Sequence, residues 1–214
     1  SAGYSVFVPV PKGPDNKPLC CGKTHLSTGN IEQARKSGKR LVDTYLPHAM
    51  AGIPIVGLEP SCLFALKDEL PSLLKTKEAH AVAEQALTFE ELLIRDNVKL
   101  SLNPLRVKAL LHGHCHQKAY DAMAPVEAVL KMIDRLEVST IETSCCGMAG
   151  AFGYGKETYG ISQKMAEADL LPKVRGASEE TIIIADGTSC RSQIKDGTQR
   201  SAVHVARLLD QQLQ

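Results

Sequence analysis

One sequence pattern occurs twice along the chain, and this duplication limits the folds that the chain can adopt. A Cys-Cys-Gly sequence lies at 20–22 and again at 145–147. Each copy continues with a Gly-containing loop, a helical run, a short apolar strand, a Ser-Cys pair and a further helix. From the second cysteine of the pair to the Ser-Cys cysteine there are 41 residues in one copy and 44 in the other. We therefore predict a tandem repeat of one structural unit.

The alternation of helical and apolar segments predicts an α/β fold. The first copy has a helical pattern over 30–51 and an apolar strand over 53–58. The second copy has a helical pattern that reaches residue 174 and a strand over 181–185. Short apolar strands that alternate with helices are typical of parallel β-α-β units. We expect two pseudo-symmetric lobes, each with a small parallel sheet flanked by helices.

The second copy also has an upstream part. It contains a strand over 106–111, a helix over 117–133 and a strand over 136–141, and only the last has a first-copy counterpart, a predicted strand over 4–10. Because the chain also begins without Met, we expect it to be a piece of a longer protein in which the first repeat is truncated. We predict a first repeat over 1–76, a linking helical segment over 77–105 and a second repeat over 106–214. Within the link, 77–97 has the apolar spacing of one amphipathic helix.

The cysteines are placed where a binding site is expected. An odd number of cysteines with two adjacent pairs fits a disulfide framework poorly, so we expect a reducing, cytoplasmic environment. All of them lie in turns just after predicted apolar strands, and the carboxyl ends of parallel strands share one edge of a sheet. The candidate metal ligands are Cys115, Cys145, Cys146 and Cys190 in the second copy, and Cys20, Cys21 and Cys62 in the first.

Thiolates bind soft metals, so the four cysteines of the second copy can serve an iron–sulfur cluster or a tetrahedral zinc ion equally well in number. Structural zinc usually draws on C-x₂₋₄-C pairs, which this chain lacks. Cys62 and Cys190 precede predicted helices, so we expect the helix dipole to lower both thiol pKa values.

Several other residues are expected to support the cysteines rather than bind metal. Gly22 and Gly147 follow the cysteine pairs and can turn backbone N–H groups towards sulfur. His114 and His116 flank Cys115 and are expected to stabilise its loop. The remaining histidines, His112 among them, are expected at the surface or in packing. A net charge of +1 gives no reason to expect a nucleic-acid partner.

These motifs resemble the CCG, or cysteine-rich, domain of iron–sulfur oxidoreductases such as heterodisulfide reductase and the iron–sulfur subunit of glycolate oxidase. The resemblance covers essentially the whole chain. It rests on CCG at 20–22, EPSC at 59–62, HCHQK at 114–118, CCGMAG at 145–150 and GTSC at 187–190. It is strongest to the C-terminal region of bacterial proteins that fuse an FAD-linked oxidase domain to ferredoxin-like and CCG domains.

The resemblance implies an electron-transfer module rather than a catalytic domain. Electrons would pass from FAD on a separate domain or subunit, through a [4Fe–4S] cluster, to a quinone or another acceptor, with the module in the cytoplasm or peripheral at the inner membrane. The family's cluster ligands map onto the seven cysteines named above. Flavin-containing and ferredoxin-like domains of a 2-hydroxy-acid dehydrogenase are the implied partners.

The chain departs from the fullest family motif, which ends in C-x-x-C. Glu59 and Gly187 stand where that motif has its first cysteine. This departure argues against the cluster chemistry that cleaves heterodisulfides. Two alternatives remain at this point: a thiol–disulfide reductase site, and a zinc-bound or metal-free scaffold for docking other subunits.

Overall fold

The computed structural model describes residues 2–9, 17–143 and 145–214, and the chain folds as two compact units. The N-terminal unit spans Gly3–Leu92 and the C-terminal unit spans Leu93–Gln214. Each unit contains one copy of the repeated pattern and a parallel sheet, of two and four strands respectively. The predicted α/β class with small parallel sheets flanked by helices is therefore confirmed.

The N-terminal unit is mostly helical. Its long helix begins after Asn30, whose side chain accepts a hydrogen bond from the Gln33 N–H and so caps the helix. One face of this helix is buried against a core that includes Leu41, Ile55 and Val82. The helices are α1 (Lys23–Ser27), α2 (Ile31–Met50), α3 (Pro60–Phe64), α4 (Leu70–Leu74), α5 (Lys77–Glu84) and α6 (Phe89–Arg95), with a π-helical turn over Ala65–Glu69 between α3 and α4.

The single helix predicted over 77–97 is wrong. The segment forms α5, then strand β2 (Ala86–Thr88), then α6. β2 pairs in parallel with β1 (Ile55–Gly57). The break has a local cause: the Thr88 hydroxyl accepts from the Glu91 N–H at 3.1 Å, and the Glu91 carboxylate accepts from the Thr88 N–H at 2.7 Å. This reciprocal capping box starts a new helix, and its signature is readable in the sequence.

The strand predicted over 4–10 does not form in its described part, residues 4–9; Val10 lies outside the described residues. Val6, Phe7 and Val8 are 85%, 67% and 76% exposed. In the C-terminal unit the corresponding strand pairs with a neighbour that has no counterpart among the described residues of the N-terminal unit. A segment without that neighbour has no ladder to join.

The sheet of the C-terminal unit contains the strands expected there and one more. Its strands are β3 (Lys108–Leu111), β4 (Glu137–Thr140), β5 (Ile182–Ile184) and β6 (Ala202–Val203). They are ordered β4-β3-β5-β6 and every pairing is parallel. The carboxyl ends of β4, β3 and β5 therefore lie side by side at one edge, which is where the cysteine-bearing turns begin.

The helices of the C-terminal unit are shorter than the sequence pattern predicts. The run over 117–133 divides at Asp121, whose φ is 54°. This left-handed residue separates two helices. The helices are α7 (Cys115–Ala119), α8 (Met123–Leu130), α9 (Tyr159–Ala168), α10 (Leu170–Gly176), α11 (Thr188–Thr198) and α12 (Val205–Gln212), with a 3₁₀ turn over Phe152–Tyr154. Across the described ranges, every helix falls short of the length or apolar character that crossing a bilayer requires.

The core of the C-terminal unit extends directly to the cysteines. Its buried residues include Leu171, Ile183 and Ile194, and the same cluster contains Cys146 and Cys190. Burying a leucine or isoleucine side chain contributes about 2 kcal/mol. The packing of α10 and α11 on the sheet therefore also fixes where these two sulfur atoms lie.

Candidate metal centre

Four cysteines converge at the carboxyl edge of the four-stranded sheet. β3 leads to Cys115, the first residue of α7. β4 leads to the pair Cys145 and Cys146, and β5 leads to Cys190 in the first turn of α11. Because β4, β3 and β5 are neighbours, turns that are up to 75 residues apart along the chain meet at one place.

The four thiols form a continuous chain of contacts. Cys115 contacts Cys145, Cys145 contacts Cys146, and Cys146 contacts Cys190. Cys146 and Cys190 are 4% and 2% exposed, whereas Cys115 and Cys145 are half-buried. All four are free thiols. The set therefore opens to the surface at one end and reaches the core at the other.

The thiols divide into proton donors and proton acceptors. Hydrogen bonding from the neighbouring thiols, that of Cys115 first, holds the pKa of Cys145 far below its ordinary value. The proximity of Cys146, with His112 nearby, lowers the pKa of Cys190. The pKa values of Cys115 and Cys146 are raised, first by their contact with Cys145 and then by burial and the neighbouring sulfurs. Cys145 and Cys190 therefore lose their protons more readily than ordinary thiols, and thiolate is the form that binds metal.

The glycine of the cysteine pair shapes this turn. Gly147 has a φ of 88°, and its N–H donates to the Cys145 sulfur at 3.3 Å. A Cβ at this position would lie 2.2 Å from the Ser162 carbonyl oxygen. Only glycine satisfies both the left-handed backbone and this close approach.

A buried polar network fixes the turn that carries Cys115. The His114 Nδ1 accepts from the His116 N–H at 3.1 Å, and the His114 N–H donates to Gln117 at 3.0 Å, so that His114 caps α7. The Gln117 amide donates to Asp186 at 2.8 Å, and the other carboxylate oxygen of Asp186 accepts from the Val205 N–H at 3.0 Å. His114 thus has the loop-stabilising position expected of it, and the His116 ring packs edge-on to it at 5.1 Å.

His112 was missed as a site residue. It was expected at the surface or in packing, and it lies at the carboxyl end of β3 at 1% exposure. One of its ring nitrogens lies within 4.8 Å of both the Cys146 and the Cys190 sulfurs. Its position directly after a central apolar strand is the sequence signal that could have identified it. Asp186 has the same signal, because it follows β5, and it was also not singled out.

The N-terminal unit holds a smaller set of sulfurs with the same local geometry. Gly22 has a φ of 79°, and its N–H donates to the Cys20 sulfur at 3.4 Å. The Cys21 and Cys62 sulfurs are 3.4 Å apart. Cys21 is buried and Cys20 and Cys62 are exposed. The three predicted ligands of the first copy are therefore placed together, without a fourth cysteine in the described part of this unit.

The predicted lowering of the Cys62 pKa is wrong. The Cys62 and Cys21 sulfurs share a hydrogen bond, and this bond, together with burial and the charges of Cys21 and Glu59, raises the Cys62 pKa. The same bond lowers the Cys21 pKa to about 6, with the backbone N–H of Lys23 also contributing. The direct sulfur contact outweighs the dipole of α3, which has only five residues.

Removing the Cys62 thiol should suppress the reactivity of Cys21. In a metal-free Cys62→Ala chain we expect the Cys21 pKa to return towards 9.0. At pH 6 the fraction of Cys21 present as thiolate would then fall from about one half to about one in a thousand. The remaining thiolate would be roughly 20-fold more nucleophilic, which offsets part of this loss. Alkylation of Cys21 by iodoacetamide at pH 6 should therefore slow by about 20-fold, as measured by tandem mass spectrometry of the peptide. Cys20→Ala keeps the Cys21–Cys62 contact and is the matched control; equal rates in all three chains would contradict the assignment.

A family model described as a cysteine-rich domain, CCG, matches the chain at residues 9–67 and 109–195. One match lies in each compact unit, and together they contain all seven cysteines. The two matches agree with the duplication predicted from the repeated motifs.

The similar curated proteins include a dehydrogenase subunit, a dehydrogenase and a lactate utilization protein. One subunit of the anaerobic glycerol-3-phosphate dehydrogenase of Escherichia coli is 29% identical over 201 residues, which is 92% of this chain and 50% of that protein. D-2-hydroxyglutarate dehydrogenase of Haemophilus influenzae is 25% identical over 81% of this chain and 18% of that protein. Lactate utilization protein A of an Exiguobacterium species is 26% identical over 90% of this chain and 81% of that protein. The chain thus spans half or less of the length of the first two relatives.

Proposed function

The chain belongs to the cysteine-rich CCG domain family, and we propose that its C-terminal unit holds an iron–sulfur cluster and passes electrons within a flavin-dependent dehydrogenase. The proposed ligands are Cys115, Cys145, Cys146 and Cys190. One observation carries the proposal: these four thiols meet at the carboxyl edge of one parallel sheet although they come from three separate turns.

The donor set fits an iron–sulfur cluster. All four groups are soft sulfur donors, and two of them lose their protons more readily than ordinary thiols before any metal binds. Cys145 and Cys146 are adjacent and both contribute sulfur, which suits ligation of two irons in one cluster better than the spaced pairs of structural zinc. The Gly147 N–H already points at a ligand sulfur. When bound, the cluster would supply reversible one-electron chemistry.

The residues around the thiols support electron transfer. The buried end of the set, at Cys146 and Cys190, excludes water from part of the site. The Asp186–Gln117–His114 network holds Cys115 in place, which limits the rearrangement that accompanies a change of charge. Low exposure and hydrogen bonds to sulfur are the factors with which proteins set a cluster potential.

The electron source we propose is a flavin on a separate domain or subunit, with a quinone or another carrier as acceptor. Two of the relatives are named for the oxidation of glycerol 3-phosphate and of D-2-hydroxyglutarate. Both are longer than the matched region, which leaves room for a flavin-bearing or ferredoxin-like part. A 2-hydroxy acid or a related alcohol as substrate of the parent enzyme, a [4Fe–4S] cluster type and a peripheral position at the inner membrane belong to the same proposal.

Heterodisulfide cleavage at this site is disfavoured by packing. The fuller motif needs a cysteine at position 187, but a Cβ there would lie 2.5 Å from the His114 ring and 3.2 Å from the Cys190 sulfur. A fifth thiol would therefore displace the residue that caps α7. In the first copy Glu59 occupies the equivalent position and accepts from the Ser61 hydroxyl at 2.7 Å.

Thiol–disulfide exchange is a second candidate, and the 3.4 Å contact between Cys21 and Cys62 favours it for the N-terminal unit alone. In this reaction a thiolate attacks an external disulfide, and the neighbouring thiol then releases the second product as a protein disulfide forms. It would proceed in the metal-free chain and would be lost in Cys62→Ala.

Anaerobic mixing with a reduced flavin tests the leading proposal. The cluster-loaded chain should take one electron from photoreduced FMN, seen as bleaching of the cluster absorbance and as a new EPR signal that matches the dithionite-reduced sample. A cluster that dithionite reduces and the flavin does not would contradict the proposed electron source. Reduction of one oxidised glutathione per metal-free chain, with formation of a Cys21–Cys62 disulfide and loss of the reaction in Cys62→Ala, would support the second candidate instead.

A further inference from the structure

His112 is the most deeply buried titratable group beside the proposed cluster ligands. It follows β3 at the centre of the sheet, and its own N–H donates to the Ile184 carbonyl at 2.8 Å, which extends the ladder between β3 and β5. The backbone therefore holds the imidazole rigidly next to Cys146 and Cys190. Within the described residues, the His112 Nε2 is buried with no hydrogen-bond partner. A buried polar atom without a partner costs about 1–3 kcal/mol, so we expect this atom to gain a partner when the neighbouring cysteines hold a metal centre.

Hydrogen bonds on the other side of the ring decide which nitrogen carries the proton. The Lys118 ammonium lies 3.3 Å from the Thr143 hydroxyl oxygen and also donates to the Thr143 carbonyl. An ammonium has only donors, so the hydroxyl oxygen accepts there. The same hydroxyl lies 3.2 Å from the His112 Nδ1. The Nδ1 is thus an acceptor within reach of the hydroxyl hydrogen.

The direction of this relay follows from donor and acceptor capacity. With Lys118 donating to Thr143 and Thr143 donating to the His112 Nδ1, a neutral imidazole carries its proton on Nε2, and we assign this tautomer. An Nε2 that carries hydrogen cannot coordinate a metal. It can donate to a thiolate sulfur. The three residues come from α7, from the loop after β4 and from the end of β3, so the arrangement depends on the fold rather than on one local motif.

We propose that His112 is a positioning residue that donates its Nε2–H to one of the two ligand sulfurs beside it, Cys146 or Cys190, and that it thereby raises the reduction potential of the cluster. This inference rests on the proposed function. The reduced cluster carries one more negative charge than the oxidised cluster. A hydrogen bond to a ligand sulfur therefore stabilises the reduced state more strongly than the oxidised state. Lys118 and Thr143 act through His112 by fixing its tautomer.

Redox titration of the cluster-loaded chain, followed by EPR, tests the effect on potential. His112→Phe keeps a planar ring and removes the donor. The equilibrium between oxidised and reduced cluster should shift about tenfold towards the oxidised form, so the reduction potential should fall by about 59 mV for one electron. His112→Gln places an amide N–H near the Nε2 position and should restore most of the shift. The exposed His80 lies in the other unit, and His80→Ala is the matched control. An unchanged potential in His112→Phe would overturn the inference.

Iron content and nitrogen spectroscopy separate a donor from a ligand. His112→Phe should retain the iron of the unmodified chain after reconstitution. Loss of iron in this variant, or a strongly coupled nitrogen in pulsed EPR of the unmodified protein, would show that His112 is a ligand and would contradict the proposal.

The tautomer can be measured without any cluster, which separates this inference from the proposed function. Long-range ¹H–¹⁵N correlation spectra of the reduced, metal-free chain should show His112 protonated at Nε2. Thr143→Ser keeps the hydroxyl and should preserve this tautomer, whereas Thr143→Val should allow both. A proton on Nδ1 in the unmodified chain would overturn the inference even if the cluster binds. A chain that takes up no cluster would refute the proposed function, and with it the effect on potential.

Discussion

Replacing Cys190 by alanine is expected to abolish cluster retention by the reconstituted chain. Cys190 is 2% exposed and contacts Cys146, so its sulfur cannot be replaced by solvent without opening the core. Loss of a residue that merely supports a ligand commonly costs 10–100-fold in metal affinity, and loss of a ligand should cost at least about as much. Iron per chain after anaerobic gel filtration should fall by tenfold or more.

Cys62→Ala is the matched control for Cys190→Ala. The two cysteines occupy the same Ser-Cys position in the two copies, each in the first turn of a helix. If the cluster is bound by the C-terminal unit alone, Cys62→Ala should keep the iron content of the unmodified chain. Equal loss of iron in both variants would contradict this assignment. Circular dichroism spectra should match for all three chains, which excludes unfolding as the cause.

The second large effect is expected from Gly147→Ala. The new Cβ would be 2.2 Å from the Ser162 carbonyl oxygen, and the φ of 88° is itself unfavourable for alanine. The left-handed backbone costs about 1–2 kcal/mol, and because the clash is with backbone rather than with a flexible side chain, we expect a total of at least about 3 kcal/mol. The free energy of unfolding of the C-terminal unit, from denaturant titration, should fall by this amount. Cluster uptake should fall with it, because the Gly147 N–H would move away from Cys145.

Gly150→Ala isolates the backbone contribution. Gly150 has a φ of 71°, but a Cβ there would meet no atom within 4 Å. This variant should lose only about 1 kcal/mol. Gly22→Ala, in which the Cβ would lie 2.9 Å from the Ala34 carbonyl oxygen, should show an intermediate loss in the N-terminal unit. Equal losses in Gly147→Ala and Gly150→Ala would refute the packing argument.

Much of the fold could be predicted from the sequence because the repeated pattern contains two separate signals, the short apolar runs of strands and the spaced apolar residues of helices. The apolar runs predicted β1, β3, β4 and β5 to within two residues at each end, and the helical pattern over 30–51 predicted α2. The failures arose where one local contact overrides periodicity. The Thr88–Glu91 capping box divides 77–97, and the left-handed Asp121 divides 117–133. The predicted strand over 4–10 lacks the neighbour that its counterpart β4 has.

The site was predictable as a location but not as a set of contacts. Placing cysteines after parallel strands was sufficient to bring Cys115, Cys145, Cys146 and Cys190 together, since strand neighbours share an edge. Proton sharing between thiols depends on which sulfur faces which, and periodicity does not contain that information. The wrong expectation for Cys62 and the missed role of His112 both arose there.

Iron and acid-labile sulfide analysis of the anaerobically reconstituted chain tests the central claim most directly. The site we describe predicts equal amounts of iron and labile sulfide, about four of each per chain for a [4Fe–4S] cluster, lost in Cys190→Ala and kept in Cys62→Ala. One tightly bound zinc ion per chain without labile sulfide would contradict the cluster assignment. A chain that retains no metal under these conditions would contradict it equally.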